Sequence, residues 1–165
     1  MSPKNYILTK EVAQKKMQRM AYEILERNAD EDQIIFAGIK ENGLVIAKKM
    51  AALLQPIYKG EIELIEIDID KKNLSEINLS PAIDLNGKVI IVADDVVNAG
   101  RTLLYAIKPM LQFYPKKIQT LVLVERTHKT FPVSSDYVGL SIATTFQEHI
   151  FVEVEGDEVS GAYMI

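Results

Sequence analysis

The chain has 165 residues, 48% of them hydrophobic, a formal charge of −4 and no cysteine. Such a length and apolar content suit one compact domain over residues 1–165 with a sizeable core, and the missing thiols exclude disulfides, thiolate metal sites and cysteine nucleophiles. The negative charge argues against dominant non-specific affinity for nucleic acid; the polar start from Met1 to Tyr6 and the lack of a bilayer-length apolar run predict a cytoplasmic protein with no membrane partner.

Thr9 is placed to cap a helix over Glu11 to Arg27, in which Met17, Met20, Ala21, Ile24 and Leu25 share one face while Lys15, Lys16, Arg19 and Arg27 take the polar side. Asn28-Ala29-Asp30 ends it, and the short apolar run Ile34 to Ile39 predicts the first strand of a parallel sheet. That run breaks at Lys40-Glu41-Asn42-Gly43, after which Leu44 to Leu54 resumes a helical pattern with Leu44, Ala47, Ala51 and Leu54 inward. A helix N-terminus facing the carboxyl end of a strand is where open α/β sheets bind ligands. Gln55-Pro56 closes this helix, and Glu61 to Asp70 alternates like a half-exposed strand, with the doublet Leu64-Ile65 predicting a bulge. The polar stretch Lys71 to Leu85 contains Ser80-Pro81 and shows no clear period, so it is expected to be a long loop and a candidate lid.

The most informative stretch is Val89 to Leu103. Val89-Ile90-Ile91-Val92 suits a strand buried on both faces, expected to end where Asp94 and Asp95 begin. Asn98-Ala99-Gly100 has little side-chain bulk, so backbone N–H groups can approach a ligand, and a helix is expected to open near Arg101 with its positive dipole end at the same spot. Two carboxylates would repel a bare phosphate, so they call for hydroxyls or a cation. A ligand with a phosphate at one end and a sugar diol at the other satisfies both features. Further on, Pro109 should kink or end the helix. Ile118 to Val124 is another buried strand, Glu125 to Lys129 a polar loop, and Asp136 to Gly139 a very short strand. His149 to Glu155 and Val159 to Met164 flank Gly156-Asp157 as a terminal hairpin.

The apolar strand, paired acids, four further residues and Gly100-Arg101-Thr102 resemble the phosphoribosyl-diphosphate motif of type I phosphoribosyltransferases. Ile24 to Asn28, Gly38-Ile39-Lys40, Glu66 to Ile69, Leu123 to His128 and Asp136 to Gly139 are similar to the bifunctional pyrimidine-operon attenuator and uracil phosphoribosyltransferase branch. The resemblance implies a three-layer α/β fold, with a central mostly parallel sheet, helices on both faces and a small hood carrying the C-terminal hairpin. It also implies transfer of ribosyl phosphate from phosphoribosyl diphosphate to a nucleobase, uracil first, giving a nucleoside monophosphate. Mg²⁺ is the expected cofactor, held mainly by the ligand, and a homodimer or higher oligomer is the expected assembly.

By the same resemblance Asp94 and Asp95 hold the ribose hydroxyls, and Asn98, Ala99, Gly100, Arg101 and Thr102 hold the 5′-phosphate. Ile39, Lys40, Glu41, Asn42 and Gly43 take the pyrophosphate, and the base lies under Tyr137 and Val138, read mainly by backbone groups. The chain departs from the family at Ala99, commonly Thr, and at Asn98, where purine-salvage members carry an acid that an amide cannot replace as a base. Glu41-Asn42 stands where this branch tends to have an Arg, and the lid stretch has only Lys71 and Lys72 as cations. These departures favour binding over turnover. The second function class is an RNA-binding regulator that senses nucleotides, with Arg19, Arg27, Arg126, His128 and Lys129 converging on a hairpin. His149 is expected to be structural, and the chain lacks the Gly-x-x-x-x-Gly-Lys-Ser/Thr loop of nucleotide hydrolases.

Overall fold

The computed structural model describes residues 3–165; Met1 and Ser2, the start of the polar N-terminal stretch, lie outside the described residues. In chain order it contains β1 (Asn5–Thr9), α1 (Lys10–Asn28), β2 (Gln33–Ile39), α2 (Asn42–Leu54), β3 (Glu61–Asp70) and β4 (Asn73–Ser80). There follow β5 (Val89–Val97), α3 (Arg101–Ile107), a 3₁₀ segment (Lys108–Gln112), β6 (Lys117–Arg126), β7 (Tyr137–Ile142), β8 (Ile150–Glu155) and β9 (Glu158–Met164).

The continuous apolar runs become the centre of a six-stranded sheet in the order β4-β3-β2-β5-β6-β7. All neighbours are parallel except β4, which returns antiparallel along β3. Both faces are covered, which is why β2, β5 and β6 carry no polar alternation. On one face, α1 and α2 pack Met17, Met20, Ile24, Ile46 and Met50 against Phe36, Ile91 and Leu123. On the other, Leu103, Ala106 and Met110 cover Ile35, Ile90, Val92 and Val122. These are the three layers the resemblance implies. The predicted terminal hairpin β8–β9 is present, turning at Gly156 with φ 62°, and β1 adds to β9 to complete a three-stranded hood.

Thr9 caps α1 as expected, its Oγ1 accepting from Val12 N at 3.3 Å. The helix ends at Asn28 as expected, with Ala29 following it. The Asn28 amide donates to Gln119 Oε1 (3.1 Å) and to the Tyr137 hydroxyl (3.0 Å), a buried network that holds the last turn of α1 onto the sheet. In α2 the buried stripe is Gly43, Ile46, Ala47, Met50 and Leu54, so Leu44 and Ala51 are only half inward. Pro109 ends α3, and the chain continues as the 3₁₀ segment.

Two expectations are overturned. The Leu64-Ile65 doublet makes no bulge: β2 and β3 stay in unbroken register from Gln33 opposite Glu61 to Ile39 opposite Ile67. Leu64 packs towards the core under α1 and α2 and Ile65 towards the opposite core, so the doublet reports a strand covered on both faces. The stretch from Lys71 to Leu85 is likewise no long loop, because Asn73–Ser80 pairs with β3. Asn73 faces Asp70 and Ile77 faces Ile69, so Leu74 to Glu76 bulge out between them and erase the period-two signal.

Candidate functional site

The paired acids sit inside β5 and not beyond it: the strand runs on to Val97, and Asp94 and Asp95 are only 2% and 5% exposed. Their oxygens are engaged. Asp94 Oδ1 accepts from Asp95 N (2.9 Å), Asp95 Oδ1 accepts from Val96 N (2.8 Å), and Asp95 Oδ2 accepts from the Asn42 amide (2.8 Å). Burial, and then the charge of Asp95 beside it, pushes the Asp94 carboxyl well above the usual carboxylate range, while Lys71 pulls the other way.

The two loops flank this pair. In the first, α2 begins directly over the end of β5: a Cβ on Gly43 would lie 2.8 Å from Ala93 O and 3.1 Å from Asp94 Oδ1, so only glycine allows this approach. Lys40 N donates to Ile67 O (2.9 Å), and its ammonium pairs with Asp68 (3.0 Å). Ile39 is fully buried in β2, so its side chain is unavailable to a ligand and only its main chain remains. A cleft of about 460 Å³ opens here, lined by Lys40, Glu41, Asp68, Asp70, Lys71 and Lys72. A second hollow of about 290 Å³ lies between β4 and the 3₁₀ segment, lined by none of the candidate site residues.

In the second loop Gly100 caps α3 at φ 87°, in the left-handed region, and a Cβ there would press within 2.6 Å of Val133 Cγ1. Ala99 O accepts from Thr130 N (3.2 Å) and Phe131 N (3.1 Å), and the Arg101 guanidinium lies 5.0 Å from the Phe131 ring. The segment after β6 therefore backs the loop. Asn98 Oδ1 lies 3.5 Å from Ile150 N, linking the loop to the hood.

Tyr137 and Val138 open β7 alongside β6. The Tyr137 ring is 0% exposed, its hydroxyl donating to Gln119 Oε1 at 2.7 Å beneath α1, so it packs the core. The Val138 and Gly139 carbonyls each accept from Arg19 at 3.0 Å; Tyr137 lies level with Leu121 and Ala93, and Val138 lies level with Val122 and Asp94. Backbone of β8 also reaches the loops, its Ile150 N and Val152 O contacting Asn98 and Asn42. No local sequence signal marks such contacts, which span 52 and 110 residues of chain.

The five basic residues named for RNA divide into two groups. Arg19 and Arg27 lie along β7, bonded to the carbonyls of Val138, Gly139 and Asp136. Arg126 donates to Glu148 O and Lys129 pairs with Glu125 (3.1 Å), both at the far end of β6, where His128 is exposed.

Glu41 has φ 70° and ψ −120°, a conformation that favours glycine. Glu41→Gly is therefore expected to stabilise the protein by about 1 kcal/mol, strain relief outweighing the added freedom of the unfolded chain. A lower midpoint in denaturant titration would contradict this.

A mostly parallel sheet whose middle strand carries two buried acids between two strand-to-helix loops, under a small hood, defines the phosphoribosyltransferase class of α/β protein. The model of the phosphoribosyl transferase domain matches residues 6–156, and the chain belongs to that family. It is 35% identical to the bifunctional protein PyrR of Clostridium acetobutylicum over 94% of this chain and 93% of that protein. It is 36% identical to the pyrimidine operon regulatory protein of Lactococcus lactis subsp. cremoris over 89% of this chain and 88% of that one. Among solved structures, the hypoxanthine phosphoribosyltransferase of Trypanosoma cruzi shares the fold, with a TM-score of 0.79 at 16% identity over 97% of this chain and 95% of that one.

Proposed function

We propose that this chain, acting as one domain, binds phosphoribosyl diphosphate and transfers its ribosyl phosphate to a pyrimidine, uracil first, with slow turnover. The observation that carries the proposal is the buried pair Asp94 and Asp95 held between the two loops. In the reaction a base nitrogen bonds to the ribose carbon as the bond to pyrophosphate breaks, and positive charge develops on the sugar ring. Asp94 and Asp95 orient the ribose hydroxyls and place negative charge beside that ring. Main-chain N–H groups of Asn98 to Thr102 hold the 5′-phosphate, and Lys40 with the start of α2 holds the diphosphate. Mg²⁺ bound to the diphosphate supplies charge neutralisation to the leaving group. The carboxylates of Asp94 and Asp95 are suitable hard donors for it; among the described residues no group of three or more His, Asp or Glu forms a cage, which fits an ion held mainly by the ligand.

Pyrimidine preference is supported by the regulatory names of the relatives and by the amide at Asn98 where an acid would serve a purine. Slow turnover is supported by two features. The cover over the site is a paired hairpin whose turn offers Lys71 and Lys72, and Glu41 adds negative charge where a departing pyrophosphate needs a cation. Isotopic pyrophosphate release across a panel of bases tests this: release with uracil below ~1 s⁻¹ is expected, whereas turnover within the ordinary ~1–10³ s⁻¹ contradicts slowness. Release with purines alone contradicts the base.

The names of the relatives also favour a second reading, an RNA-binding regulator that senses nucleotides with little catalysis. Its candidate surface divides in two, Arg19 and Arg27 along β7 and Arg126, His128 and Lys129 at the far end of β6, with Arg19, Arg27, Arg126 and Lys129 all bonded within the protein. Salt-dependent hairpin binding that changes with uridine monophosphate would support it. No helix among the described residues is long and apolar enough to cross a membrane; a cytoplasmic homodimer or higher oligomer accompanies both readings.

A further inference from the structure

The loop from Asn98 to Thr102 is gripped from behind by the segment that follows β6. Ala99 O accepts from both Thr130 N (3.2 Å) and Phe131 N (3.1 Å). The C=O and N–H of one trans peptide unit point to opposite sides, so this grip turns the Gly100 N–H away from the segment and towards the open side of the loop. Side chains of the same segment crowd Gly100: a Cβ there would lie 2.6 Å from Val133 Cγ1 and 3.6 Å from both Lys129 Cδ and Phe131 Cβ. The aim of the loop therefore depends on where residues 129–133 are held. What holds them is a largely buried ion pair. Lys129 lays its stem along Gly100 and brings its ammonium to 3.1 Å from Glu125 Oε2, with the two side chains only 11% and 14% exposed. Glu125 Oε1 accepts from the Ser141 hydroxyl at 2.7 Å, and in register Glu125 lies between Val97, the last residue of β5, and Ser141 of β7. Glu125 Oε2 is buried and, among the described residues, the Lys129 ammonium is its only compensation.

The geometry points to Glu125 and Lys129 as positioning residues for a phosphate monoester: their pair fixes the segment that aims the Gly100 N–H, and so preorganises the loop before the phosphate arrives. Ala99 offers that phosphate no hydroxyl, which leaves main-chain donors to set much of its affinity. An ion pair suits the task because neither buried charge can move off without stranding the other, so the clamp is held in one place. The charge of Lys129 is balanced by Glu125, and its contribution is therefore the shape of the loop, with little net attraction for the phosphate.

The clamp rests on the reading of Asn98 to Thr102 as the 5′-phosphate loop, and the test separates the two. Full-length wild type, Lys129→Arg, Lys129→Met and the double variant Glu125→Gln/Lys129→Met are titrated calorimetrically with uridine monophosphate. Hydrogen exchange of residues 98–102 is followed in each, with residues 40–44 of the other loop as the comparison. The double variant strands no buried charge, so it carries the test should Lys129→Met fail to fold. Loss of the pair is expected to weaken uridine monophosphate about 5- to 20-fold, by a similar factor in the single and double variants. Exchange should speed up at 98–102 and stay unchanged at 40–44, whereas a merely structural pair would loosen both loops together. Lys129→Arg keeps the pair and should keep most of the affinity. Unchanged affinity in the double variant, equal acceleration at 40–44, or a loss in Lys129→Arg as large as in the double variant would overturn the clamp while leaving the phosphate loop standing. Wild type that does not bind uridine monophosphate would overturn the phosphate loop itself, and the clamp with it.

Discussion

Asp95→Asn is expected to weaken Mg²⁺-phosphoribosyl diphosphate binding by about 10- to 150-fold, the equivalent of losing one charged hydrogen bond of ~1.5–3 kcal/mol. Both Asp95 oxygens act as acceptors, Oδ1 from Val96 N and Oδ2 from Asn42. Asparagine keeps one acceptor and turns the other into a donor, which must then face a donor. Because the side chain is buried, that mismatch also lowers stability, and the thermal midpoint should fall together with affinity. Calorimetric titration alongside thermal unfolding measures both, and unchanged affinity would remove Asp95 from the site.

Asp94→Asn is expected to act in the opposite direction on the fold. Burial and the neighbouring Asp95 raise the folded-state pKa of Asp94 above its unfolded value of about 3.9. Below the unfolded value both states are protonated and the group contributes no difference. Between the unfolded and the raised folded value, the folded protein holds a proton that the unfolded chain has released, so stability falls as pH rises through that window. Above it the full penalty remains. Asparagine keeps an oxygen to accept from Asp95 N but carries no charge, so the variant should melt higher than wild type at pH 8, with the gain fading towards pH 4. Ligand affinity should nevertheless drop at least about tenfold, as a charged hydrogen bond is lost. A variant that melts lower than wild type at pH 8 would mean that the carboxylate is stabilised, not penalised, by its surroundings. Stability and binding thus conflict at this position, as expected where a site is built from buried charge.

The parts of the molecule that were legible in the sequence are those whose physics is local. Val89 to Val92 announced a strand covered on both faces, Thr9 announced a cap, Pro109 ended α3 and Gly156 turned the last hairpin. The two strand-to-helix loops followed from the breaks in the apolar runs at Lys40 to Gly43 and at Asn98 to Gly100. What escaped depends on partners distant in the chain. β1 is a short strand with a single buried residue, Leu8, made a strand by pairing with β9 at the opposite end of the chain. β4 was hidden by its three-residue bulge. Asp94 and Asp95 were expected beyond the strand because charge normally ends a buried run, yet the pleat continues through them, one oxygen of each carboxylate accepting from the next backbone N–H. The complete burial of the Tyr137 side chain was also not legible, since its hydroxyl finds Gln119 and Asn28 far along the chain.

The measurement closest to the central claim is an equilibrium titration of the wild-type protein with phosphoribosyl diphosphate in the presence of Mg²⁺, repeated with uridine monophosphate. If the two strand-to-helix loops and the buried acid pair form the proposed phosphoribosyl site, binding of both should be saturable, competitive with each other, and complete at or below millimolar concentration. No heat and no protection from thermal unfolding with either compound at millimolar concentration would contradict the assignment of Asp94, Asp95 and the two loops as a phosphoribosyl site.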